Sequence, residues 1–390
     1  MSSFATGVAL WLCLLLFPLS AAVALDLGEW LPGLKLSPFL SERVQYESNV
    51  FQAPSHAQSD VVFKTIPGFL ADYTVGPHSL TAGFRAEILD YVTLTLQNTV
   101  NYISVAQLTL DFPFLLFNLR DDFIRTNDPP GTELTGPIES TTNLLASEAE
   151  YRLTSWFSIG ANGSWIRVRF DQESVGTDLD RDEYLIGGSV FWKMLPKTDL
   201  RLSYSYAQKN FTMSSDRNVT INMVTLGVRG DLTAKLSSTF RVGIQVRDPE
   251  SSFQPGYTGL VLGGDWIYRP TEQTTITLTT DRSVQESSFE DTPYYVTSNA
   301  TLGVQQQFGS KLTGTVRVGG GTNKYPTKQT VGDVTDWRSD SFFVAGAAVE
   351  YQIQPWLLVG AEYTHTFRRS NFDTFDYQDD KVVAKVTLQF

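Results

Sequence analysis

Apolar and polar residues alternate one by one along most of this chain. From Leu236 to Val246 every second residue is apolar except Ser238, and the residues between them are polar or glycine. The stretches 198–209 and 337–353 follow a similar pattern. Because successive side chains of a β-strand point to opposite faces, the alternation predicts strands with one apolar and one polar face.

The predicted strands are long, at about ten to fifteen residues against ~5–6 residues for a typical strand of a globular protein. A strand that crosses a membrane needs ~9–11 residues. Beyond residue 24 the chain contains no apolar run of the ~18 residues that a transmembrane helix requires. Only helices and closed barrels satisfy every backbone group in lipid. The pattern therefore predicts an all-β fold, a transmembrane antiparallel up-and-down β-barrel.

Eighteen strands can be placed on the alternation. They lie near residues 35–47, 59–75, 79–89, 97–111, 113–125, 138–152, 156–171, 182–195, 198–212, 218–232, 235–247, 257–268, 273–285, 293–308, 311–322, 337–353, 356–369 and 380–390. The stretch 79–111 shows no clear loop, so a barrel of 16 strands is the alternative count.

The predicted connections are sorted by length. Every second one is short, as in "VGPH", "LPKT" and "FGSK", whereas those between them are longer and polar, as in "TNDPPGTELTGP", "RDPESSFQPG" and "NKYPTKQTVGDVTD". Bacterial outer-membrane barrels have short periplasmic turns and longer extracellular loops. The sorting therefore predicts an integral protein of the outer membrane of a Gram-negative bacterium, with both ends of the barrel on the periplasmic side.

The first residues indicate secretion. The run from Val8 to Val23 is almost wholly apolar, and small residues at positions 22 and 24 suit signal-peptide cleavage before Leu25. We therefore predict a signal peptide over residues 1–24, a short periplasmic segment over 25–34 and the barrel over 35–390. The single cysteine, Cys13, lies in the signal peptide, so we expect the mature chain to have no disulfide.

The last residues look like a complete strand. Val382, Ala384, Val386, Leu388 and Phe390 form one apolar face that continues to the final residue. We predict that Phe390 is part of the barrel wall and the signal that the barrel-assembly machinery recognises. Aromatic residues beside the short connections fit an interfacial girdle; they are Trp156, Trp192, Trp266, Tyr268 and Trp356.

The strand count predicts an aqueous channel, because barrels of 16–18 strands are too wide for side chains to fill. The predicted pore-lining residues are those of the polar faces: Arg201, Lys209, Lys235, Arg241, Arg247, Arg317, Phe342, Glu350, Glu362 and Lys385. Charge patterning leaves two alternatives open for the cations. They either attract an acidic polymer or pair with carboxylates of the lumen. Phe342 is the candidate for stacking against a sugar ring. We identify no long loop that folds into the pore.

The net charge of −12 comes with acidic residues concentrated in the predicted outer loops. They either keep the rim soluble or bind lipopolysaccharide through divalent cations. The motif "DLDRDE" lacks the glycine and the distal glutamate of a calcium loop, so we predict a solvated loop and no metal site there. We also predict no cofactor and no nucleic-acid partner. Nothing in the sequence marks a subunit interface, and we expect a monomer surrounded by outer-membrane lipid and lipopolysaccharide.

An outer-membrane lipid hydrolase is the enzymatic alternative. Of the three histidines, His365 shares the lipid-facing side of its strand with Tyr363 and Phe367. No serine and carboxylate lie beside it on that face of the same strand, although neighbouring strands can supply partners. We predict that the protein is not an enzyme and has no catalytic residues.

Several segments resemble those of the putative beta-barrel porin 2 family over essentially the whole mature chain. They are "VQYESNVFQAPSHAQSDVVFKTIPGF", "LRDDFIRTNDPPGTELTGPI", "DRDEYLIGGSVFWKMLPKTDL", "LTAKLSSTFRVGIQVRD" and "RRSNFDTFDYQDDKV". The resemblance implies an outer-membrane barrel that serves exopolysaccharide export together with a periplasmic polysaccharide-export protein. We therefore predict a conduit for an exopolysaccharide cargo. The alternative is a general or solute-specific diffusion porin.

Overall fold

The structure is a computed structural model that describes residues 32–128, 136–171, 179–288 and 292–390. The predicted signal peptide and most of the predicted periplasmic segment lie outside the described residues. Among the residues described, no helix combines the length and the apolar character needed to cross a membrane.

Eighteen strands carry almost all of the described chain. They are β1 (Leu34–Glu47), β2 (Asp60–Val75), β3 (His78–Tyr91), β4 (Thr99–Asp111), β5 (Leu115–Thr126), β6 (Ser140–Arg152), β7 (Phe157–Phe170), β8 (Arg181–Leu195), β9 (Thr198–Phe211), β10 (Val219–Asp231), β11 (Leu236–Pro249), β12 (Tyr257–Tyr268), β13 (Thr274–Glu286), β14 (Tyr294–Phe308), β15 (Leu312–Val331), β16 (Val334–Gln354), β17 (Leu357–Ser370) and β18 (Tyr377–Gln389). Short 3₁₀ turns occupy Thr95–Gln97, Ser215–Arg217 and Asp373–Phe375.

Each strand pairs antiparallel with its neighbours in sequence, and β1 also pairs with β18, so the sheet closes into a barrel. The closing seam runs from Phe39 opposite Gln389 to Glu47 opposite Lys381, and the Phe390 amide donates to the Pro38 carbonyl at 2.9 Å. The predicted fold and the count of 18 are confirmed. Phe390 belongs to the closed wall, and its role as an assembly signal stays a prediction.

The stretch 79–111, in which the sequence shows no clear loop, contains a turn between β3 and β4. Side chains that accept backbone hydrogen bonds hold this turn. The Asp60 carboxylate accepts the amides of Thr93 and Leu94 at 3.0 and 2.7 Å, and the Asn98 side chain accepts the Tyr91 amide at 2.8 Å. These bonds hold an apolar segment in a turn between β3 and β4. The alternative count of 16 strands is therefore wrong.

The predicted polar loop "NKYPTKQTVGDVTD" is instead a strand extension. β15 continues to Val331 and β16 begins at Val334, with Gly332 at φ +61° in the tight turn between them. The register shifts between Lys324 and Lys328. Pairing between two strands satisfies the backbone of a polar segment as well as a solvated loop does, so these polar residues form the outer end of the β15–β16 hairpin.

The two faces of the wall differ as predicted. Exposed apolar side chains occupy alternate positions on neighbouring strands, for example Leu202, Val224, Ile244, Val318 and Val382. Trp156 and Trp192 are exposed beside short connections, where an interfacial girdle is expected.

Buried apolar clusters lie at the outer end of the barrel and not in its middle. One contains Val50, Val62, Leu89 and Tyr91, and the other contains Ile138, Val168, Phe170 and Leu179. They pack outer connections onto the strand ends and leave the central lumen to polar side chains.

Candidate functional site: the polar lumen

The lumen is formed by the side chains that alternate with the exposed apolar ones. This face carries nine of the ten predicted pore-lining residues: Arg201, Lys209, Arg241, Arg247, Arg317, Phe342, Glu350, Glu362 and Lys385. Lys235 is the exception. It precedes β11 in a short connection, where its Nζ donates to the Pro270 carbonyl at 2.6 Å, so it belongs to the periplasmic rim.

Two ion pairs between predicted pore-lining residues cross an intervening strand above a glycine. Arg317 on β15 reaches Glu362 on β17 at 2.7 Å. Its side chain passes over Gly346 of β16, which lies opposite Arg317 on one side and opposite Thr364, two residues from Glu362, on the other. Lys385 on β18 reaches Glu350 on β16 in the same way, over Gly360 of β17. Since glycine has no side chain, a long cation can lie flat on the wall there and bind a carboxylate two strands away.

A second group surrounds Phe191 on the lumen side of β8. The guanidinium carbons of Arg201 and Arg229 lie 5.0 and 4.6 Å from the centre of its ring. Arg201 also pairs with Glu148 at 3.1 Å, and Arg229 pairs with Glu150 at 2.9 Å. Cation–π contact and ion pairing together fix both arginines against the wall.

Five of the seven predicted lumen cations therefore have carboxylate partners, which favours pairing over simple attraction for those five. Arg241 differs, because it forms no ion pair with any described residue and its side chain is exposed. It lines a recess of about 310 Å³ together with Arg201 and Arg229.

The register reveals a row of three cations that the sequence prediction missed in part. Arg43 on β1 lies directly opposite Lys385 on β18 and directly opposite Lys64 on β2. Lys385 binds Glu350, whereas Arg43 is exposed and forms no ion pair with the residues described. Like charges directly opposite each other destabilise a strand pair, so this row favours binding of an anion.

A belt of charges spans the outer part of the lumen from β8 to β13. Lys209 contacts Glu183 at 3.2 Å and Glu286 at 3.1 Å, and Glu286 forms a bidentate pair with Arg247 at 2.7 and 2.9 Å. Lys209 and Glu286 lie four strand positions apart, which is about 19 Å along the wall at the usual strand spacing. Their contact brings the outer end of β13 towards the lumen.

The adjoining connections are held at the same place. Arg217, from the 3₁₀ turn between β9 and β10, donates to the carbonyls of Ser287 and Pro293 in the connection between β13 and β14. Ser287 and Thr292 are completely buried. The two described ends of this outer connection are therefore held together by one arginine that is about 70 residues earlier in the chain.

An aromatic and cationic cluster lies on the lumen side of β15–β18. Arg338 pairs with Asp340 at 2.7 Å, and its guanidinium carbon lies 3.5 Å from the Phe375 ring centre and 4.6 Å from that of Tyr325. Both members of the pair are fully buried. Phe342 lies on the same face one step closer to the periplasm, and its role in sugar stacking stays a prediction.

His365 lies on the lipid-facing side, as expected, and its partner comes from the next strand. Its Nδ1 lies 2.8 Å from Asp380 of β18, which also accepts the Tyr363 hydroxyl at 2.6 Å. Within the described part of the chain, no serine hydroxyl is hydrogen-bonded to His365. The same residues contain no group of three or more metal-ligating side chains arranged to hold an ion.

Comparison with known proteins relates both the sequence and the fold to outer-membrane channels. The model of the family described as putative beta-barrel porin 2 matches residues 21–390. The solved structure of OccK1 (OpdK) from Pseudomonas aeruginosa is 12% identical, with a TM-score of 0.50 over 91% of this chain and 99% of that chain. OccK2 (OpdF) from the same organism, solved in complex with glucuronate, is 10% identical, with a TM-score of 0.50 over 92% and 99%. No curated protein matches the sequence. At these identities the similarity concerns the fold alone.

Proposed function

We propose that this chain, which belongs to the putative beta-barrel porin 2 family, is an outer-membrane channel that passes small hydrophilic solutes bearing an acid group. The family and the fold make it an integral outer-membrane protein with the architecture of a porin. The preference for an acid group is our inference from the charges of the lumen.

The observation that carries the proposal is the row of Lys64, Arg43 and Lys385. Three cations lie side by side on adjacent strands, and the middle one is exposed and has no carboxylate partner among the described residues. A carboxylate or phosphate would relieve their repulsion and gain charge-assisted hydrogen bonds from a guanidinium, whose planar donors suit such groups.

A second candidate binding site for an acid group supports passage through the lumen and not a single binding event. It is centred on Arg241, which forms no ion pair with any described residue, whereas the neighbouring Arg201 and Arg229 have carboxylate partners. Arg201, Arg229 and Arg241 lie on β9–β11, and β10 is nine positions from β1 in the ring of 18 strands, on the opposite side of the barrel. Arg201 and Arg229 lie near the periplasmic ends of their strands, whereas Arg43 lies in the outer half of β1. An acid group can therefore exchange between sites at different heights.

The ligand chemistry we propose is that of a monocarboxylated sugar. OccK2, whose fold is similar, was solved with glucuronate, a molecule that combines one carboxylate with several hydroxyls. The polar wall of this chain offers matching groups, with Asn118 and Asn162 beside Arg120 in a recess of about 530 Å³.

Export of an acidic exopolysaccharide is the second candidate. The family resemblance implied it, and cations at two heights would offer successive contacts to a charged polymer. For a polymer to pass, the belt of Lys209, Glu286 and Arg247 would have to open at the outer end. The periplasmic polysaccharide-export partner, the assembly machinery, the bound lipopolysaccharide and the monomeric state stay predictions.

Block of the ion current tests the proposal. Purified protein in a planar bilayer should show current that glucuronate reduces in a concentration-dependent way, whereas glucose at the same concentration should not. Arg43→Gln should weaken the block about tenfold, since one charge-assisted hydrogen bond is lost. Arg85→Gln is the matched control, because Arg85 is an exposed lumen arginine that already pairs with Glu87 at 2.8 Å.

The outcomes separate the candidates. Equal block by glucose and glucuronate, or equal loss in the two variants, would contradict recognition of the acid by the row. A gene deletion that abolishes surface polysaccharide, in a channel that glucuronate does not block, would favour the export conduit instead.

A further inference from the structure

The seam between β12 and β13 is only partly paired, although both strands are fully paired on their other sides. β12 pairs with β11 from Tyr268 up to Tyr257, and β13 pairs with β14 from Thr274 to Glu286. Between β12 and β13 the register contains seven pairs and ends at Leu262 opposite Arg282. Residues 257–261 and 283–286 therefore border a break in the barrel wall towards its outer end.

Such a break is expensive where a strand edge meets lipid, because water is not there to satisfy the freed backbone groups. Side chains do this instead. The Leu260 carbonyl accepts the Arg282 Nε and the Tyr257 hydroxyl, each at 3.1 Å. The break is thus a stabilised feature of the wall and not a loss of order at a strand end.

On the lumen side, side chains close the break. Arg247 of β11 and Glu286 of β13 join across the outer end of β12 in a pair that is 2% and 3% exposed. Glu286 shares its face of β13 with Leu278 and Arg282, so the outer end of β13 bends inward and brings this face against the lumen side of β11. The Tyr294 hydroxyl donates to the Gly256 carbonyl at 2.8 Å, and the Tyr294 ring contacts that of Tyr257 at 6.0 Å. Because this closure consists of side chains, it can open without breaking a backbone ladder.

On the lipid side, the break has a cation at its base. Arg282 occupies the same face as Leu278 and Leu260, which are both exposed apolar residues. It hydrogen-bonds Ser298 Oγ at 2.6 Å but forms no ion pair with a carboxylate among the described residues. A lipid-facing arginine is costly, and where one occurs it commonly marks a functional site.

We propose that the outer part of the β12–β13 seam is a lateral portal for an anionic amphiphile with one acid group and one long apolar chain. Its acid group would exchange between Arg247 on the lumen side and Arg282 on the lipid side, displacing Glu286 from Arg247, while its chain enters the outer leaflet. The portal goes beyond the aqueous path proposed above. Its failure would leave the binding of acids at Arg43 untouched.

Photolabelling tests the portal with palmitate that carries a diazirine near its end. In vesicles that contain the full-length protein, the label should concentrate on residues 257–262 and 282–286. Arg282→Gln should reduce it about tenfold, since a charge-assisted hydrogen bond is lost. Arg167→Gln is the control, because Arg167 is a lipid-facing arginine on β7 that pairs with Asp182. Labelling that is uniform around the barrel, or equal in both variants, would overturn the proposal.

Bridging the seam provides an independent readout. A Leu260→Cys/Val284→Cys variant, joined by a short bismaleimide, should lose the labelling, whereas the Val224→Cys/Ile244→Cys variant across the paired β10–β11 seam should keep it. Hydrogen exchange of the unmodified protein tests the seam without any variant, so the proposal can be tested even if a cysteine variant fails to fold. Amides of 257–261 and 283–286 should exchange faster than those of 222–226 and 242–246, and equally slow exchange would show that the seam is closed.

Discussion

Arg317 and Glu362 form a 2.7 Å ion pair although a complete strand separates them. The pair depends on Gly346, above which the guanidinium lies, because any side chain at this position would block the path of Arg317 to Glu362. Lys385 and Glu350 repeat the arrangement across Gly360. At both places the cation lies along the lumen wall, which keeps its side chain out of the centre of the lumen.

Gly346→Leu should lift Arg317 off the wall. A Cβ at this position would lie 2.9 Å from Arg317 Nε, which is closer than real contacts allow. The displaced side chain would extend into the lumen, and single-channel conductance should fall. Gly303→Leu is the matched control, because a Cβ there meets only one atom within 4 Å, at 3.9 Å. An equal fall in both variants would show that added bulk alone is responsible.

Glu286→Gln should destabilise the protein far more than Glu362→Gln. Glu286 is 3% exposed in its pair with Arg247, whereas Glu362 is 34% exposed in its pair with Arg317. Breaking a buried pair costs about 3–5 kcal/mol, against at most about 1 kcal/mol for an exposed one. Urea unfolding in lipid vesicles measures both values, and similar values would mean that water reaches the belt.

Asp60→Ala should loosen the outer connection between β3 and β4. The carboxylate accepts three backbone amides, those of Val61, Thr93 and Leu94, and each hydrogen bond to a charged group contributes about 1.5–3 kcal/mol. Protease added to intact cells should then cut between residues 92 and 98. Asp72→Ala, which removes one exposed contact with Thr81, should leave that segment resistant. Cleavage in neither variant would mean that packing, not Asp60, holds the turn.

The wall could be predicted from the sequence because a strand repeats every two residues and lipid enforces that repeat. Ile244 and Gln245 must face opposite media, and no other contact alters the choice. The structures of the connections could not be predicted from alternation in the same way. The turn after Tyr91 is set by Asp60, 31 positions earlier in the chain, and the hairpin around Gly332 consists of polar residues that pair as readily as they form a loop.

The sequence predicts which residues face the lumen, but it does not predict which of them contact one another. Alternation assigns Arg201 and Lys385 to the polar face, and the same rule would have identified Arg43, Lys64 and Arg229. It cannot tell which cation meets which carboxylate, because that depends on register between strands. The Lys209–Glu286 contact joins strands four positions apart, and no local pattern encodes it.

Cysteine scanning of β9 tests most directly whether the outside of this wall meets lipid while its inside meets water. Each residue from Leu202 to Ala207 would be replaced in turn, in a mature chain predicted to contain no other cysteine. A charged, membrane-impermeant maleimide should label positions 203, 205 and 207 and spare 202, 204 and 206. Labelling of all six positions, of none, or in the opposite phase would contradict the account.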